Sequence, residues 1–235
     1  MRKVINLFKT LFSKINGHLP GKIYELFFID LIPRFFGGLS IVFYSIIYRN
    51  VWFGKNGNCW GRIYLWKSPE SSIIIGDNAR IMSDFLRAGI AIYSRVKITA
   101  FANSKIIIGN NVALVGTSIT CRMTRIEIMD GTLIGPNTII IDSDVHSVWP
   151  PENRINTPGY ENDRPIKIGK NVWIGMNSII LKGVTIGENS VITAGSLVKT
   201  DIPPNVLAGG NPARVIKPLG VDSGKERSIF QECIM

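Results

Sequence analysis

Residues 166–200 read IKIGKNVWIGMNSIILKGVTIGENSVITAGSLVKT and carry the most regular repeat in the chain. Within it an aliphatic residue returns at every sixth position, at Ile168, Ile174, Ile180, Ile186, Ile192 and Val198. A helix repeats its apolar face about every 3.6 residues and a strand every second residue, so neither element explains this period. The pattern is typical of a parallel β-helix, in which each six residues form one short strand and one turn.

The residues between the anchors indicate how these turns are made. Gly follows the anchor at Gly169, Gly175 and Gly187, where we expect it to supply the positive φ that a tight turn requires. Asn171, Asn177 and Asn189 are predicted to occupy the left-handed region too, since Asn tolerates it better than other residues that carry a Cβ.

The same pattern begins near Ser72 in less regular form and stops between Ile141 and Arg164. That interruption is polar and rich in Pro and has repeats on both sides, so it predicts a long loop that leaves the solenoid. We therefore predict an all-β solenoid of hexapeptide repeats with an N-terminal α-helical extension. Its parts are an extension at 1–65, a β-helix domain at 66–217 with an excursion loop at 141–165, and a tail at 218–235.

The extension is basic and apolar, and it accounts for much of the net charge of +10. Residues 1–16 have the pattern of a basic amphipathic helix, which could lie in a membrane interface or dock on its own domain or a neighbouring subunit. The apolar runs at 26–32 and 39–48 are each too short to span a bilayer and predict two short helices separated by Pro33, Arg34, Gly37 and Gly38. Peripheral membrane association through residues 1–50 is one hypothesis. A secretory leader and nucleic-acid binding are not expected, because no cleavage pattern and no reading motif accompany the basic residues.

The three cysteines, Cys59, Cys121 and Cys233, are widely scattered and form no CxxC or Cys/His spacing. This indicates neither a disulfide framework nor a metal site, and it favours a reducing cytoplasm. No phosphate-binding glycine loop and no GxSxG nucleophile motif occurs in the chain.

One residue in the excursion loop stands out chemically. His146 lies in the segment Asp142-Ser143-Asp144-Val145-His146-Ser147, and imidazole is the usual proton acceptor at neutral pH. A carboxylate bonded to one ring nitrogen would fix the tautomer and leave the other nitrogen to take a proton from a hydroxyl. A surface histidine with no such role is the alternative.

The runs at 171–175, 183–190 and 201–217 closely resemble the hexapeptide-repeat O-acetyltransferases, in particular the polysaccharide branch, and are similar to maltose and galactoside acetyltransferases. This resemblance implies a left-handed parallel β-helix, assembled as a homotrimer with active sites between subunits. It also implies that acetyl-CoA lies along the helix edge and that His146 is the general base. Asp144 and Glu161 are then rival candidates for the carboxylate that orients His146, and backbone N–H groups would stabilise the oxyanion.

The resemblance also assigns residues to acetyl-CoA, and it implies no metal. It places Trp173 and Met176 beside the pantetheine arm, although Trp173 could equally serve to pack on its coil. The other matching positions are Ala194, Lys199 and Thr200 at the next coil's edge, and Arg214 and Lys217 near the nucleotide phosphates. Lys199-Thr200 inverts the order common in the family, and residues 1–65 do not match the cap of relatives that acetylate small sugars.

The function expected from this resemblance is acetyl transfer from acetyl-CoA to a sugar hydroxyl of a surface polysaccharide or lipid-linked glycan. The place of reaction would be the cytoplasm, with the inner face of the plasma membrane as the finer expectation. The alternatives are N-acetylation of an amino sugar and a trimeric β-helix scaffold without catalysis.

Overall fold

The computed structural model describes residues 30–152 and 154–220. Its first regular element is helix α1, Ile32–Ile47, and the strands that follow form three sheets. Sheet 1 contains β1 (Val51–Phe53), β4 (Ser72–Ile75), β7 (Lys105–Ile108), β10 (Arg125–Ile128), β13 (Ile166–Ile168) and β16 (Thr185–Ile186). Sheet 2 contains β2 (Asn58–Trp60), β5 (Arg80–Met82), β8 (Ala113–Val115), β11 (Leu133–Ile134), β14 (Trp173–Ile174), β17 (Val191–Ile192), β19 (Val206–Gly210) and β20 (Ala213–Pro218). Sheet 3 contains β3 (Tyr64–Lys67), β6 (Lys97–Ala100), β9 (Ser118–Cys121), β12 (Ile139–Ile141), β15 (Ile179–Ile180) and β18 (Leu197–Val198).

Each coil contributes one strand to each sheet, and neighbouring coils pair in parallel. Ile168 pairs with Ile186, Ile174 with Ile192 and Ile180 with Val198, so one regular coil is eighteen residues long. The six predicted anchors are all buried, and they continue into the aliphatic columns of the earlier coils. The β-helix predicted from the six-residue period is therefore confirmed. The last pairing, between β19 and β20, is antiparallel and ends the solenoid.

The corner asparagines adopt the predicted conformation. Asn171, Asn177 and Asn189 have φ values of 54°, 57° and 60°. The side-chain Nδ2 of Asn171 donates to Oδ1 of Asn189 at 3.3 Å, and the Nδ2 of Asn189 donates to Oδ1 of Asn205 at 2.9 Å. The amide side chains thus form a ladder up one corner and link successive coils.

The prediction for the glycines after the anchors was wrong. Gly169, Gly175 and Gly187 are absent from the positive-φ residues of the described chain. Instead each lies against the backbone of the next coil, and a Cβ added to Gly175 would lie 2.4 Å from the amide nitrogen of Ala194. Glycine is required at these positions because the coils approach closely.

The N-terminal part differs from the sequence expectation in two ways. α1 is one continuous helix where two were predicted, and the first coil begins at Val51, inside the segment assigned to the extension. Pro33 lies in the first turn of α1, where its missing N–H is tolerated. Gly37 faces the first coil, so it allows a close contact and does not interrupt the helix. The predicted helix at 1–16 lies outside the described residues.

α1 covers the start of the solenoid. Pro33 and Gly37 are buried, and Ile41, Tyr44 and Tyr48 continue the same helix face against the core of the first coil. The hydroxyl of Tyr44 donates to the carbonyl oxygen of Ile63 at 3.1 Å. The helix therefore acts as a cap that closes the apolar end of the first coil.

Replacing Gly37 with Ala is expected to destabilise this cap. The new Cβ would lie 2.0 Å from the carbonyl oxygen of Cys59, and overpacking of this kind typically costs about 1–3 kcal/mol. Gly38→Ala is the matched control, because a Cβ there meets nothing within 4 Å and Ala is favoured over Gly inside a helix by about 1 kcal/mol. Thermal unfolding should show a lower Tm for the first variant and an unchanged or higher Tm for the second. Equal Tm values would contradict the close contact of α1 with the first coil.

Two loops leave the solenoid. The chain leaves sheet 3 after Ile141 and enters sheet 1 at Ile166, so the interruption in the repeat corresponds to a long loop, which we call the histidine loop (residues 142–165). It contains two short 3-10 helices, Arg154–Asn156 and Tyr160–Asn162. A second loop at 83–96, between β5 and β6, was not predicted, because the irregular early repeats did not distinguish a loop from an imperfect coil.

Candidate active site

The histidine loop is anchored at its start by a buried carboxylate. Asp142 is fully buried, and its Oδ1 accepts the backbone N–H of Arg122 at 2.8 Å. Its Oδ2 accepts the hydroxyl of Thr124 at 2.8 Å and the Thr124 N–H at 3.2 Å. Both carboxylate oxygens of Asp142 thus accept hydrogen bonds from the turn that follows β9. Asp142 therefore fixes the point where the loop leaves the solenoid.

Arg122 is the second anchor, and it reaches both halves of the loop. Its Nε and one terminal nitrogen donate to the two carboxylate oxygens of Asp163 at 2.8 and 2.6 Å. The other terminal nitrogen donates to the carbonyl oxygens of Val145 and Pro158, the latter at 2.6 Å. The guanidinium also lies 4.7 Å from the ring centroid of Tyr160. We call Arg122 and Asp163 the loop clamp.

The loop clamp is a buried ion pair with two parallel hydrogen bonds. The Asp163 side chain has no exposed surface and the Arg122 side chain is 9% exposed. The hydrogen bonds to Asp163 raise the pKa of Arg122 further above its already high usual range. Such bidentate arginine–carboxylate pairs fix geometry as well as charge, so the clamp holds the start and the end of the loop together.

His146 lies directly after the clamped carbonyl of Val145. Val145 has a φ of 71°, which is unusual for a β-branched residue and turns the chain sharply before the histidine. The His146 Nδ1 lies 3.0 Å from the carbonyl oxygen of Arg154, across the loop. A carbonyl oxygen can only accept, so in the neutral imidazole Nδ1 carries the proton and Nε2 has the lone pair. The exposed ring is therefore arranged to accept a proton at Nε2.

The two carboxylates suggested as orienting groups are engaged elsewhere in the chain. Asp144 forms an ion pair with Lys182, which lies on the next coil. Glu161 is exposed, and its Oε1 accepts a hydrogen bond from the side-chain amide of Asn162 at 3.2 Å. Within the described chain the orienting partner of His146 is a backbone carbonyl, because the loop folds back on itself at Arg154.

Gly159 supports the histidine from behind. Its φ is 63°, and an added Cβ would lie 2.9 Å from the Ser147 amide nitrogen and 3.2 Å from the His146 carbonyl carbon. The position thus requires glycine both for its conformation and for its contact with the backbone at His146.

Gly159→Ala is expected to lower turnover by about 10²-fold, since displacement of a catalytic group by about 1 Å has effects of that size. Gly89→Ala is the matched control, because Gly89 has a similar φ of 65° but a Cβ there meets nothing within 4 Å. The comparison separates the clash at His146 from the backbone strain that both variants share. Steady-state kinetics should show a lower kcat for Gly159→Ala alone. Equal kcat values in the two variants would contradict the supporting role.

The predicted acetyl-CoA residues fall into two groups. Trp173, 55% exposed, lies on the outer face of sheet 2 in a row that continues through Val191 and Leu207 to Lys217. Three strand spacings separate Trp173 from Lys217, or about 14 Å. Arg214 lies on the same terminal strand, opposite Gly209.

Met176 and Ala194 adjoin this row. They follow β14 and β17 and lie on successive coils at the corner between sheets 2 and 3. Lys199 and Thr200 instead follow β18, at the corner between sheets 3 and 1. That second corner also carries Lys182, the partner of Asp144, so these two residues share a corner with the base of the histidine loop.

The residues on and beside the Trp173 row suit a long, partly anionic ligand. The exposed indole of Trp173 and the corner that carries Met176 and Ala194 offer an extended edge, and Arg214 and Lys217 place two cations at its end. Arg and Lys form strong charge-assisted hydrogen bonds with phosphate. An elongated ligand with an apolar arm and anionic groups at one end would match this edge.

The described cysteines offer no nucleophile. Burial raises the pKa of both the Cys59 and the Cys121 thiol to about 12, and the neighbouring Asp142 carboxylate also acts on Cys121 in that direction. Both thiols are thus neutral near pH 7, and the thiolate is the reactive form. Within residues 30–152 and 154–220, no cluster of His, Cys, Asp and Glu could hold a metal ion.

Comparisons with known proteins bear on the family of this chain. Residues 165–200 match the family model described as bacterial transferase hexapeptide (six repeats). A galactoside O-acetyltransferase of Escherichia coli strain K12 is 47% identical over 94 residues, which are 40% of this chain and 44% of that protein. The structure of a galactoside acetyltransferase in complex with coenzyme A is 30% identical and covers 90% of this chain and 78% of that chain, with a TM-score of 0.49.

A third comparison concerns the fold alone. AntD, an N-acyltransferase from Bacillus cereus solved in complex with dTDP and 3-hydroxybutyryl-CoA, has a TM-score of 0.52 at 22% identity. The match covers 83% of this chain and 96% of AntD. The chain spans less than two thirds of the length of the curated relatives that it matches.

The stacked coils and the family match at residues 165–200 define the class of protein: a left-handed parallel β-helix transferase built from hexapeptide repeats. The sequence matches are more specific than the class. The chain belongs to the family of hexapeptide-repeat acetyltransferases.

Proposed function

We propose that this protein transfers the acetyl group of acetyl-CoA to a sugar hydroxyl, with His146 as the general base. The observation that carries the proposal is the hydrogen bond between His146 Nδ1 and the Arg154 carbonyl oxygen, which leaves Nε2 free to accept a proton. Family membership supports the acetyl donor, since the galactoside acetyltransferase relative was solved with coenzyme A.

The proposed reaction is a direct transfer. His146 Nε2 removes the proton of the acceptor hydroxyl while the hydroxyl oxygen attacks the thioester carbonyl carbon. The C–S bond then breaks, the imidazolium returns its proton to the leaving sulfur, and the products are a sugar ester and free CoA. Backbone N–H groups beside the thioester carbonyl stabilise the oxyanion. No covalent enzyme intermediate is needed, which agrees with the two neutral buried thiols.

We place acetyl-CoA along the row from Trp173 to Lys217, with Met176 and Ala194 at its edge and Arg214 and Lys217 on the phosphates. We further propose a homotrimer. The histidine loop leaves at the corner between sheets 3 and 1, whereas the Trp173 row lies on sheet 2, so sheet 3 separates them within one chain. A neighbouring subunit could place its histidine loop over this row. Lys199 and Thr200, at the loop's corner, would then contact ligand from the other side.

For the acceptor we propose a surface polysaccharide or its lipid-linked precursor, acetylated in the cytoplasm at the inner face of the plasma membrane. Residues 1–65 support this choice, because they are basic and apolar and their sequence does not match the cap of relatives that act on small sugars. No helix within the described ranges is long and apolar enough to span a bilayer.

The test is product analysis with purified protein, radiolabelled acetyl-CoA and glycan fractions from a strain in which the gene is deleted. We expect label in a glycan that loses it in mild alkali, because esters are hydrolysed there and amides are not. Alkali-stable label would show N-acetylation of an amino sugar. Failure to bind CoA in calorimetry would favour a scaffold without catalysis.

A further inference from the structure

The outer face of α1 is apolar and has no partner among the described residues. Pro33, Gly37, Ile41 and Tyr44 use the inner face of this helix. On the opposite face the side chains are large, apolar and between 52% and 78% exposed: Leu31, Phe35, Leu39, Val42, Phe43 and Ile46. A helix that is apolar on every side is usually buried in a protein core or in a membrane.

The length of α1 decides between crossing a membrane and lying on it. α1 has sixteen residues, and a spanning helix needs about 20. Its inner face is also fixed to the first coil, since the Gly61 N–H donates to the carbonyl oxygen of Pro33 at 2.8 Å. Only one side is thus left for lipid, as in interfacial helices.

A cleft beside α1 supplies the charge that such a surface needs. It has a volume of about 540 Å³ and lies between the start of α1, the corner at Gly61 and the loop at 83–96. Arg62 and Arg95 line it, and the described chain places no carboxylate within ion-pair distance of either. The Arg62 guanidinium lies 5.5 Å from the ring centroid of Phe36, and Arg95 donates to the Tyr64 hydroxyl at 3.2 Å.

One carboxylate, that of Asp84, also lines the cleft. Its Oδ1 accepts the backbone N–H groups of Leu86 and Arg87, both at 3.1 Å, so it is held within its own loop. Over residues 30–67 the chain carries five basic side chains and one acidic side chain, Asp30, which pairs with Arg34 and Arg87. The balance at this end of the solenoid is therefore cationic.

The loop at 83–96 extends the apolar surface past the cleft. Phe85, Leu86, Ile90 and Tyr93 are between 50% and 79% exposed. Apolar side chains thus lie on both sides of Arg62 and Arg95, neither of which has an ion-pair partner within residues 30–152 and 154–220. This arrangement suits acyl chains and phosphate headgroups together.

We propose that the capped end of the β-helix is a membrane-docking surface for an anionic phospholipid bilayer. The outer face of α1 and the loop at 83–96 enter the interface, and Arg62 and Arg95 bind headgroup phosphates. The surface would hold the solenoid upright on the membrane. In a trimer of parallel β-helices, which rests on the function proposed above, three such ends would face one bilayer and bind with avidity.

The test is flotation of the full-length protein with vesicles, without acetyl-CoA, so that the result is independent of acetyl transfer. We expect binding to mixed phosphatidylglycerol and phosphatidylcholine vesicles and weaker binding to phosphatidylcholine alone. The double variant Phe35→Ser/Ile46→Ser should lower the partition coefficient at least tenfold, because it removes two large apolar side chains that would be buried in the interface. Arg62→Gln/Arg95→Gln should lower it on phosphatidylglycerol vesicles by about fivefold per residue and weaken its salt dependence.

Matched controls come from the opposite end of the solenoid. Val215→Ser/Ile216→Ser removes two exposed apolar side chains of β20, and Lys167→Gln/Lys170→Gln removes two exposed cations of the fifth coil. Both controls should bind like the wild type. Vesicle binding that is absent in the wild type, or unchanged in both α1 and arginine variants, would overturn the proposal. So would a smaller oligomer in Phe35→Ser/Ile46→Ser with unchanged vesicle binding, since a second copy would then cover α1.

Discussion

Replacing His146 with Ala is expected to lower kcat by about 10²–10⁴-fold, which is the usual contribution of a general base. The variant loses the imidazole that we propose as the acceptor of the hydroxyl proton, while the residues proposed for acetyl-CoA, Trp173, Arg214 and Lys217, lie on other elements. The affinity for CoA, measured by calorimetry, should therefore remain close to that of the wild type. The loss should appear in kcat and in kcat/KM for the acceptor alike.

The chain offers a control of the same residue type. His18 is its other histidine and lies outside the described residues, and its replacement by Ala should leave turnover on a detached glycan acceptor unchanged. Near-normal turnover in His146→Ala would refute the base assignment. A variant that also lost CoA binding would instead point to a disturbed assembly.

The fold was predictable because the pattern that specifies it lies within short segments of the sequence. Each six-residue unit carries its own anchor, and Ile168, Ile174 and Ile180 occupy equivalent places in successive strands. The reason for the glycines was not predictable, since the contact of Gly175 with Ala194 depends on how tightly the coils stack. The loop at 83–96 was missed because its flanking repeats are irregular.

The histidine loop was predictable as a location, but its contacts were not. The interruption of the repeat identified the loop that contains His146, whose role as a general base stays a prediction. Arg122 and Asp163 meet only because the solenoid stacks β9 beside β12, where the loop begins, and residues that far apart carry no mutual signal in one sequence. The contact of His146 with the carbonyl oxygen of Arg154 could not be predicted either, because sequence patterns indicate side-chain partners more readily than backbone partners.

Replacing Arg122 with Met is expected to be the most damaging change apart from loss of the proposed general base, His146. Asp163 would remain buried without its partner, and breaking a buried ion pair typically costs about 3–5 kcal/mol. The carbonyl oxygens of Val145 and Pro158 would lose their donor as well, so the backbone next to His146 would be released. We expect a lower Tm in calorimetry and, below that temperature, a kcat reduced by about 10²-fold through misplacement of the imidazole.

Two further variants separate stability from positioning. Arg125→Met removes a nearby arginine that forms an ion pair with Glu127. The two side chains are 50% and 31% exposed, and surface pairs of this kind contribute about 0–1 kcal/mol to stability. This variant should therefore have nearly the Tm and the kcat of the wild type. Arg122→Met/Asp163→Leu removes both buried charges and should regain much of the lost Tm, because apolar replacement of a buried pair is often close to neutral. Its kcat should stay low, since neither carbonyl regains a donor. A double variant that recovered both Tm and kcat would show that the clamp only stabilises the fold, whereas recovery of Tm alone would assign Arg122 to the positioning of His146.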